Sequence, residues 1–295
     1  MPPAPISMRP ALKWTALVVG GLAVLLVIAG AALWWAGSAN IDQTYDVAVA
    51  DLAIPGDSLA LARGAHLAGI YGCRDCHAQD LTGTVMEEEG PVRIVAPNLT
   101  PAGVGARYDA EDWDRAIRHG VAVDGTALFA MPSAAYHGLS DADMADLIAY
   151  LDRLDPIDAD LPPMKHRALG RVLAAGPMDP GAGVVTGPTR PTGPAPGATV
   201  AYGEYIATTI CAYCHGDRLE GKEGLAPGSP YAPDLAPVGT WPRELFHEVM
   251  TTGTLPGGRQ MDPAVMPWTM SARMTEAERE GVRLYLATLA DPRDA

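Results

Sequence analysis

The hydrophobic pattern of the chain begins with one long apolar segment. Trp14 to Gly37 is a run of 24 residues without a charged side chain, long enough to cross the roughly 30 Å hydrocarbon layer of a bilayer as a helix. Arg9 and Lys13 precede this run, and the first acidic residue is Asp42, so the positive-inside rule places the N terminus in the cytoplasm. We therefore predict a membrane anchor over residues 1–39, followed by a part that is exported across the cytoplasmic membrane.

A cleaved signal peptide is the alternative to an anchor. The small residues Gly37, Ser38 and Ala39 form a weak cleavage site, but the apolar core of a signal peptide is usually only about 7–15 residues long. The length of the apolar run favours a retained single-pass anchor. Both interpretations place the rest of the chain on the periplasmic or other extracytoplasmic side of the membrane.

Beyond the anchor, apolar residues recur at helical spacing in two blocks that align without a gap, Met131–Leu151 and Met266–Leu286. In each block a Ser or Thr is followed three residues later by an acidic residue, which is the pattern of a capping box at the start of a helix. Apolar residues then follow at intervals of three and four. Each block is thus predicted to end in an amphipathic helix. The capping pairs are Ser140 with Asp143 and Thr275 with Glu278.

The two blocks are the ends of a longer internal repeat. Each copy contains a short helical pattern with a glycine, then a Cys-x-x-Cys-His motif, then a proline-bounded segment and a further amphipathic helix. The proline-bounded segments are PNLTP (97–101) and PDLAP (233–237), and the helices are expected around 112–119 and 243–250. The repeat predicts two similar units, over residues 58–155 and 201–292.

The segments outside these units are predicted to connect them. Residues 40–57 are assigned as a tether between the anchor and the first unit, and residues 156–200 as a linker. Within the linker, Gly176 to Ala198 holds six Gly and six Pro in 23 residues, too few apolar side chains for a core. In polyproline form this stretch would span roughly 70 Å at about 3.1 Å per residue, so rigid docking of the two units is not required by the sequence.

Composition supports a helical fold and excludes one class of partner. The 295 residues include 32 Gly and 27 Pro but only 6% aromatic residues, which favours compact helices joined by ordered loops, with other apolar bulk filling the cores. The exported part has 19 basic and 35 acidic residues, a formal charge of −16. Nucleic acid is therefore an unsuitable partner for it.

The repeated Cys-x-x-Cys-His motif uses every cysteine of the chain. This spacing is the signature of c-type haem attachment, in which two thiols form thioethers with the haem vinyl groups and the adjacent imidazole binds the iron. Two matches in one chain make the signal strong, and they predict two covalently bound haems c. The predicted attachment residues are Cys73, Cys76 and His77 in the first unit, and Cys211, Cys214 and His215 in the second.

Three other uses of the cysteines are weaker interpretations. A thioredoxin-like motif requires a βαβ context that the sequence lacks. A zinc site would pair each Cys-x-x-Cys with a second such motif or with two histidines at finger spacing. Disulfides within each motif are conceivable in an exported protein, but they leave the adjacent histidines unexplained.

The repeat also nominates a sixth ligand for each iron. Met131 lies 54 residues after His77 and Met266 lies 51 residues after His215, and each is followed by proline, which biases the preceding residue to an extended conformation. A thioether is a soft ligand, and His/Met ligation raises the reduction potential of a haem. Met131 and Met266 are thus the predicted axial ligands, with Met261 and Met270 as close rivals of Met266.

These motifs resemble class I cytochrome c domains, and the chain resembles the cytochrome subunits of membrane-bound alcohol, gluconate and related dehydrogenases. The likeness is carried by APNLTP, DWDRAIRHGVAVDG and AMPSAAYHGLSDADMADLIAYL within Ala65–Leu154, and it is looser in the second unit. The resemblance implies an all-α fold of two tandem cytochrome c domains with covalent haem. It also implies that the carbonyls of Pro97 and Pro233 accept the Nδ1 proton of the haem-binding histidines.

The same resemblance implies that the first and last helices of each unit cross at a glycine and an aromatic residue, Gly64 with Tyr150 and Gly203 with Tyr285. One feature departs from the family pattern. Those dehydrogenase cytochromes commonly carry three haems and a C-terminal anchor, whereas this chain has two motifs and an N-terminal anchor, which leaves the identity of the partner enzyme open.

A haem with both axial positions filled by His and Met stores and passes single electrons, since no position is open for a substrate. The sequence thus predicts a membrane-anchored dihaem electron carrier without catalytic activity of its own. Its expected partners are a dehydrogenase or quinol-oxidising complex as donor, and a soluble cytochrome or terminal oxidase as acceptor. The alternatives are a dihaem subunit of a haem-copper oxidase, or a dihaem enzyme such as a peroxidase or sulfur-compound dehydrogenase.

Overall fold

The computed structural model of the protein describes residues 9–224 and 229–290, most of which lie in helices or in the loops between them. The helices are α1 (Arg9–Ile41), α2 (Ser58–Ile70), α3 (Cys73–Cys76), α4 (Ala110–His119), α5 (Ser133–Tyr136), α6 (Asp141–Leu151), α7 (Ala168–Leu173), α8 (Val200–Ile206), α9 (Ala212–His215), α10 (Arg243–Thr252), α11 (Trp268–Arg273) and α12 (Glu276–Leu289). A π-helical segment, Ala207–Cys211, joins α8 to α9, and two 3₁₀ turns cover Val104–Arg107 and Ala236–Thr240.

The fold is mostly helical, as predicted, and also contains a small antiparallel sheet that the sequence analysis did not predict. Strands β1 (Thr84–Glu87), β2 (Val92–Ala96) and β3 (Lys165–His166) are hydrogen bonded in the order β1-β2-β3. Three consecutive glutamates, residues 87–89, lie at the turn between β1 and β2. The Glu87 carboxylate there accepts the backbone amides of Glu89 and Gly90. The third strand comes from the segment after the first unit, so its pairing with β2 requires the chain to turn back onto that unit.

Helix α1 has the length and composition of a membrane-crossing helix, and its apolar side chains between Leu12 and Leu33 are exposed. Its last turns pack against α7, which lies in the segment after the first unit. A Cβ on Gly37 would lie 1.7 Å from the Arg171 carbonyl oxygen, so a side chain here would prevent this close approach. The Asn40 side-chain amide also donates to the Ala174 carbonyl at 2.9 Å. The end of α1 is therefore held on this segment, which is joined to the first unit by a 3.0 Å hydrogen bond from the Arg167 amide to the Pro91 carbonyl.

Both units are built around a crossing of their first and last helices. In the first unit α2 packs against α6, where a Cβ on Gly64 would lie 2.0 Å from the Asp146 carbonyl oxygen and 2.7 Å from Tyr150 Cβ. In the second unit α8 packs against α12, and a Cβ on Gly203 would lie 1.8 Å from the Gly281 carbonyl oxygen. The second crossing therefore centres on Gly281, one turn before Tyr285.

We expect Gly64→Ala to destabilise the protein by about 2 kcal/mol or more, because the methyl group would press against backbone atoms that cannot move independently. The measurement is urea-induced unfolding of the full chain in detergent, followed by circular dichroism. Gly56→Ala is the matched control, since a Cβ there meets no atom within 4 Å. Equal unfolding midpoints for the two variants would contradict the assigned crossing.

The predicted helix starts at Ser140 and Thr275 are confirmed, but only one of the two capping boxes is complete. At α12, Thr275 and Glu278 satisfy each other's backbone amides reciprocally. At α6, the Ser140 side chain accepts the Asp143 amide, while the Ser140 amide donates to the hydroxyl of Tyr205 instead of to Asp143. A tyrosine from the second unit has replaced the expected local partner.

The tether and the linker follow the surface of the first unit instead of running as free spacers. In the tether, the Tyr45 amide donates to the Gly125 carbonyl at 2.8 Å. In the linker, the Val185 amide donates to the His119 carbonyl at 3.1 Å, and the Asp141 amide donates to the Arg190 carbonyl at 3.0 Å. The sequence could not show this, because a Pro/Gly-rich segment gains its backbone partners only from the folded neighbouring unit.

Candidate haem-binding site

The first Cys-x-x-Cys-His motif forms a single short helix, α3. It begins after Gly72, whose φ of 76° lies in the left-handed region, a conformation that glycine adopts without steric cost. This glycine ends the helical path between α2 and α3. Within α3, the His77 amide donates to the Cys73 carbonyl at 2.8 Å. One turn of backbone thus presents Cys73, Cys76 and His77 together.

A hydrogen bond at one of its two ring nitrogens fixes the imidazole of His77. Its Nδ1 lies 2.8 Å from the carbonyl oxygen of Pro97, and the residue is only 7% exposed. Desolvation lowers the pKa of His77, although the Pro97 hydrogen bond opposes this shift, so the ring is neutral at neutral pH. A neutral ring that donates from Nδ1 keeps the lone pair of Nε2 for a metal.

The second motif has the same arrangement. His215 is 5% exposed, and its Nδ1 lies 2.7 Å from the carbonyl oxygen of Pro233. Here the backbone runs from the π-helical segment that ends at Cys211 directly into α9, which contains Cys214. The chain between the core glycine and the first cysteine is one residue shorter than in the first unit, and the helix remains continuous instead of breaking at a glycine.

The turns that follow the two histidines match each other residue by residue. Ala78 and Gly216 have φ values of 67° and 88°, and Leu81 and Leu219 have φ values of 63° and 62°. Both leucines are fully buried. Their carbonyls accept the amides of Leu99 and Leu235 at 2.8 and 2.9 Å, which ties each turn to the proline-bounded segment that holds the histidine. The two motifs are therefore structurally equivalent.

All four cysteines are free thiols, so the structure does not support disulfides within the motifs. Desolvation raises the pKa of Cys73 to about 12, with a contribution from Cys76, and raises the pKa of Cys211 to about 12, with a contribution from Cys214. The thiolate is the form that exchanges disulfides and binds zinc, and these two thiols are protonated at neutral pH. Within the described residues, no three His, Cys, Asp or Glu side chains group as a metal site.

The two methionines nominated as axial ligands occupy equivalent positions. Met131 is half-buried, follows Ala130 at a φ of 70°, and immediately precedes Pro132 and α5. Met266 is half-buried and immediately precedes Pro267 and α11. Met131 packs against the same cluster of buried residues as Cys73. The structure thus gives each methionine the same place in its unit, at the end of a loop that leads into a short helix.

One rival methionine already has another contact. Met270 lies in α11 and faces the first unit, where a Cβ on Gly72 would meet its Cε at 2.9 Å and its Sδ at 3.0 Å. The other rival, Met261, accepts the indole N–H of Trp268 through its carbonyl at 3.2 Å. The packing of Met270 against the first unit favours Met266 as the ligand of the second.

The residues present fit a covalently attached haem. Each unit supplies two free thiols on one helical turn, a buried imidazole whose Nδ1 is hydrogen bonded to a proline carbonyl, and a half-buried thioether on a separate loop. In this donor set the thiols can attach the porphyrin, and the imidazole and thioether suit an iron that is six-coordinate.

The sequence did not single out a group of polar side chains that lies where the two units meet. It consists of Arg63, His66, Asp143, Tyr202, Tyr205 and Glu278. Some signal was available, because Arg63 and Tyr202 immediately precede the two core glycines of the repeat. Their pairing across the two units is visible only in the structure.

Comparison with known proteins agrees with this geometry. The cytochrome c family model matches residues 61–155. The chain is 35% identical to the fructose dehydrogenase cytochrome subunit of Gluconobacter japonicus over 35% of this chain and 23% of that protein. It is 29% identical to the cytochrome c subunit of the quinone alcohol dehydrogenase of Gluconacetobacter polyoxogenes, over 63% of this chain and 42% of that protein.

A third relative has a similar length. The protein named diheme cytochrome c-type of Cereibacter sphaeroides is 26% identical to the chain over 91% of this chain and 96% of the relative. By contrast, the chain spans less than half of each of the two dehydrogenase subunits. Residues 61–155 are therefore a cytochrome c domain, and the chain that carries them is similar to the cytochrome c subunits of fructose and alcohol dehydrogenases.

Proposed function

We propose that the protein is a membrane-anchored dihaem cytochrome c that transfers single electrons between a redox complex and a downstream acceptor. The observation that carries this proposal is the equivalence of the two motifs, in which His77 and His215 are held by Pro97 and Pro233 at 2.8 and 2.7 Å. A cytochrome c domain implies covalently bound haem c. The matching geometry of the second motif supports a second haem, as does the similarity to a dihaem protein of nearly the same length.

Each residue type has a defined role in this proposal. Haem c supplies an iron that cycles between the ferrous and ferric states. The four cysteines would hold two such groups through thioether bonds, and Nε2 of His77 and His215 would be the first axial ligand in each unit. Met131 and Met266 would be the second, leaving no position open for a substrate. The two carriers would occupy domains over residues 58–155 and 201–292.

The N-terminal helix supports the proposed location. The exposed apolar side chains of α1 suit a single-pass anchor in the cytoplasmic membrane, and Arg9 and Lys13 at its start suit a cytoplasmic N terminus. Both haem domains would then lie on the periplasmic side. Because the end of α1 packs on α7, the first domain would be held close to the membrane surface.

The relatives suggest the class of donor. Several are named as cytochrome subunits of fructose, alcohol or gluconate dehydrogenases, so we propose a substrate-oxidising dehydrogenase as the electron donor and a soluble cytochrome or terminal oxidase as the acceptor. A dihaem subunit of a haem-copper oxidase is the second candidate, favoured by the two motifs and the N-terminal position of the apolar helix.

The test is gentle solubilisation of native membranes, purification through a C-terminal tag, and identification of the proteins that copurify. Sugars, alcohols, organic acids and a quinol are then added anaerobically while haem reduction is followed optically. We expect a flavin, quinoprotein or molybdenum subunit to copurify and its substrate to reduce the haems. Membranes with the untagged chain are the control for proteins that bind the resin.

Two other outcomes would change the assignment. In the first, haem-copper subunits copurify while quinol, but none of the dehydrogenase substrates, reduces the haems. That result would identify the protein as the subunit through which electrons enter an oxidase. Turnover of a substrate by the isolated chain would contradict the carrier function and identify an enzyme.

A further inference from the structure

The two units meet through residues that occupy equivalent positions in the repeat. Arg63 and Tyr202 each immediately precede the core glycine of their unit, Gly64 or Gly203. Across the contact, the Arg63 guanidinium donates to the Tyr202 hydroxyl at 2.8 Å. Contacts between equivalent residues are typical of an interface with a local two-fold axis. The duplicated units therefore meet as the subunits of a symmetric dimer do.

A second pair of contacts follows the same symmetry. His66 and Tyr205 lie two residues after the core glycines, and Asp143 and Glu278 are the acidic residues of the two capping pairs. The Tyr205 hydroxyl donates to Asp143 Oδ2 at 2.8 Å. In the reciprocal contact, His66 Nε2 lies 2.8 Å from Glu278 Oε2. Each unit thus provides a side chain that hydrogen bonds to the acidic residue of the other unit's capping pair.

Burial makes these contacts energetically important. Glu278 is 3% exposed, and Tyr202 and Tyr205 are at most 1% exposed. Burial opposes ionisation of Glu278, but hydrogen bonds from His66 and Thr275 hold the pKa of its carboxyl below the ordinary value. A buried carboxylate that loses its partners is strongly unfavourable, because its desolvation is no longer compensated. Separation of the two units would therefore break these buried hydrogen bonds, and water would have to replace them.

The same contact joins the two Cys-x-x-Cys-His motifs. In the first unit, α5, which follows Met131, packs against α9 and the preceding π-helical segment. In the second unit, α11, which follows Met266, packs against α2. Arg273 at the end of α11 forms an ion pair of 2.6 Å with Asp75, inside the first motif. Each unit thus places the helix after its axial methionine on the haem-binding motif of the other.

Tyr136, the last residue of α5, lies between the motifs. Its hydroxyl donates to the Tyr71 carbonyl at 2.7 Å, just before the first motif. Burial, and then the thiols of the first motif and Tyr213 of the second, raise the pKa of Tyr136 well above its ordinary value. One continuous cluster of buried residues includes Tyr136 together with residues of both units.

We propose that this contact is a fixed internal docking interface, in which Arg63, Asp143 and Glu278 are positioning residues that hold the two haem-binding motifs against each other. The inference rests on the proposed function, since this interface would hold the haem groups of the two units near enough for a single electron to pass from one to the other. The donor and acceptor classes named above supply and remove this electron. The two units would then act as one relay that passes single electrons through both haems, instead of as two independent carriers on a flexible linker.

The first test measures the interface without relying on haem. Hydrogen–deuterium exchange of the full chain in detergent is followed for the peptide 138–143, in which the Ser140 amide donates to the Tyr205 hydroxyl at 2.9 Å. We expect the double variant Glu278→Gln with Tyr205→Phe to exchange at least tenfold faster there. Glutamine at this position still suits a capping box, so the start of α12 is retained.

Glu276→Gln is the matched control, because Glu276 lies in the same first turn of α12, is largely exposed, and forms its ion pair with Arg243 of its own unit. We expect its exchange at 138–143 to match that of the unmodified chain within about twofold, as is usual for a surface ion pair. Unchanged exchange in the double variant, or unprotected exchange in the unmodified chain, would overturn the proposed interface.

The second test is pulsed electron paramagnetic resonance of the frozen, fully oxidised chain. A single narrow distance between the two haem spins is expected for the unmodified protein, and a broad distribution for the double variant. A broad distribution in the unmodified protein would overturn the proposal. Haem content is measured on the same samples, so that fewer than two haems per chain would count against the dihaem function, while the exchange experiment would still report on docking.

Discussion

Replacing Cys73 and Cys76 together by alanine should halve the covalently bound haem of the chain. The thioether bonds require these two thiols, whereas the second motif keeps its own turn and its hydrogen bond from His215 to Pro233. Intact-mass measurement of the denatured polypeptide counts the attached haems, because a thioether-bound group remains on the unfolded chain. The Cys211→Ala, Cys214→Ala variant should give the same result for the other unit.

Gln79→Ala is the control for the first motif, since Gln79 is exposed and its side chain donates to the Arg74 carbonyl at 3.3 Å. The Gln79 backbone carbonyl, which accepts from Arg74 Nη1 at 3.2 Å, is retained in this variant. This variant should retain two haems. If the cysteine variants also retained two, or if either one lost both, the assignment of one haem to each motif would be wrong.

The second large effect is expected at the axial methionines. Met131→Ala and Met266→Ala should each lower the reduction potential of one haem, by part of the roughly 0.8 V range over which axial ligands act. The loss of a soft thioether removes its preference for the ferrous iron and leaves a position open. Each variant should therefore bind one carbon monoxide per chain after reduction, and the double variant should bind two. Optical redox titration and carbon monoxide difference spectra measure both effects.

The rival methionines provide the controls. Met270→Leu and Met261→Leu should leave both haems closed to carbon monoxide, since Met270 packs against Gly72 of the first unit. Carbon monoxide binding in either leucine variant, combined with none in Met266→Ala, would move the axial ligand of the second unit to that rival residue.

Features that depend on a few neighbouring residues could be predicted from the sequence. The long apolar run predicts the helix that the structure places at Arg9–Ile41, and the capping residues Ser140 and Thr275 mark the starts of α6 and α12. The Cys-x-x-Cys-His spacing indicates a cofactor class because three reactive groups must lie on one turn of backbone. These signals are local, and no distant partner is needed to interpret them.

Features set by contacts between distant segments could not be predicted in this way. The capping box at Ser140 is only half formed, because Tyr205 lies 65 positions away in sequence and binds both the Ser140 amide and Asp143. Strand β3 likewise exists only through its pairing with β2. The glycine and proline content of the linker indicates an extended spacer, yet its backbone groups find partners along the first unit. In each case the hydrogen-bond partner of a backbone group lies in a distant part of the chain, so the local sequence does not identify it.

The most direct test of the electron-carrier assignment is an anaerobic redox titration of the unmodified full chain in detergent, followed by exposure of the reduced protein to carbon monoxide. Two His/Met haems predict two reversible one-electron steps per chain and no carbon monoxide complex at either haem. Uptake of only one electron per chain would contradict the dihaem assignment, and carbon monoxide binding to a haem of the unmodified chain would reveal an open iron and contradict the carrier function.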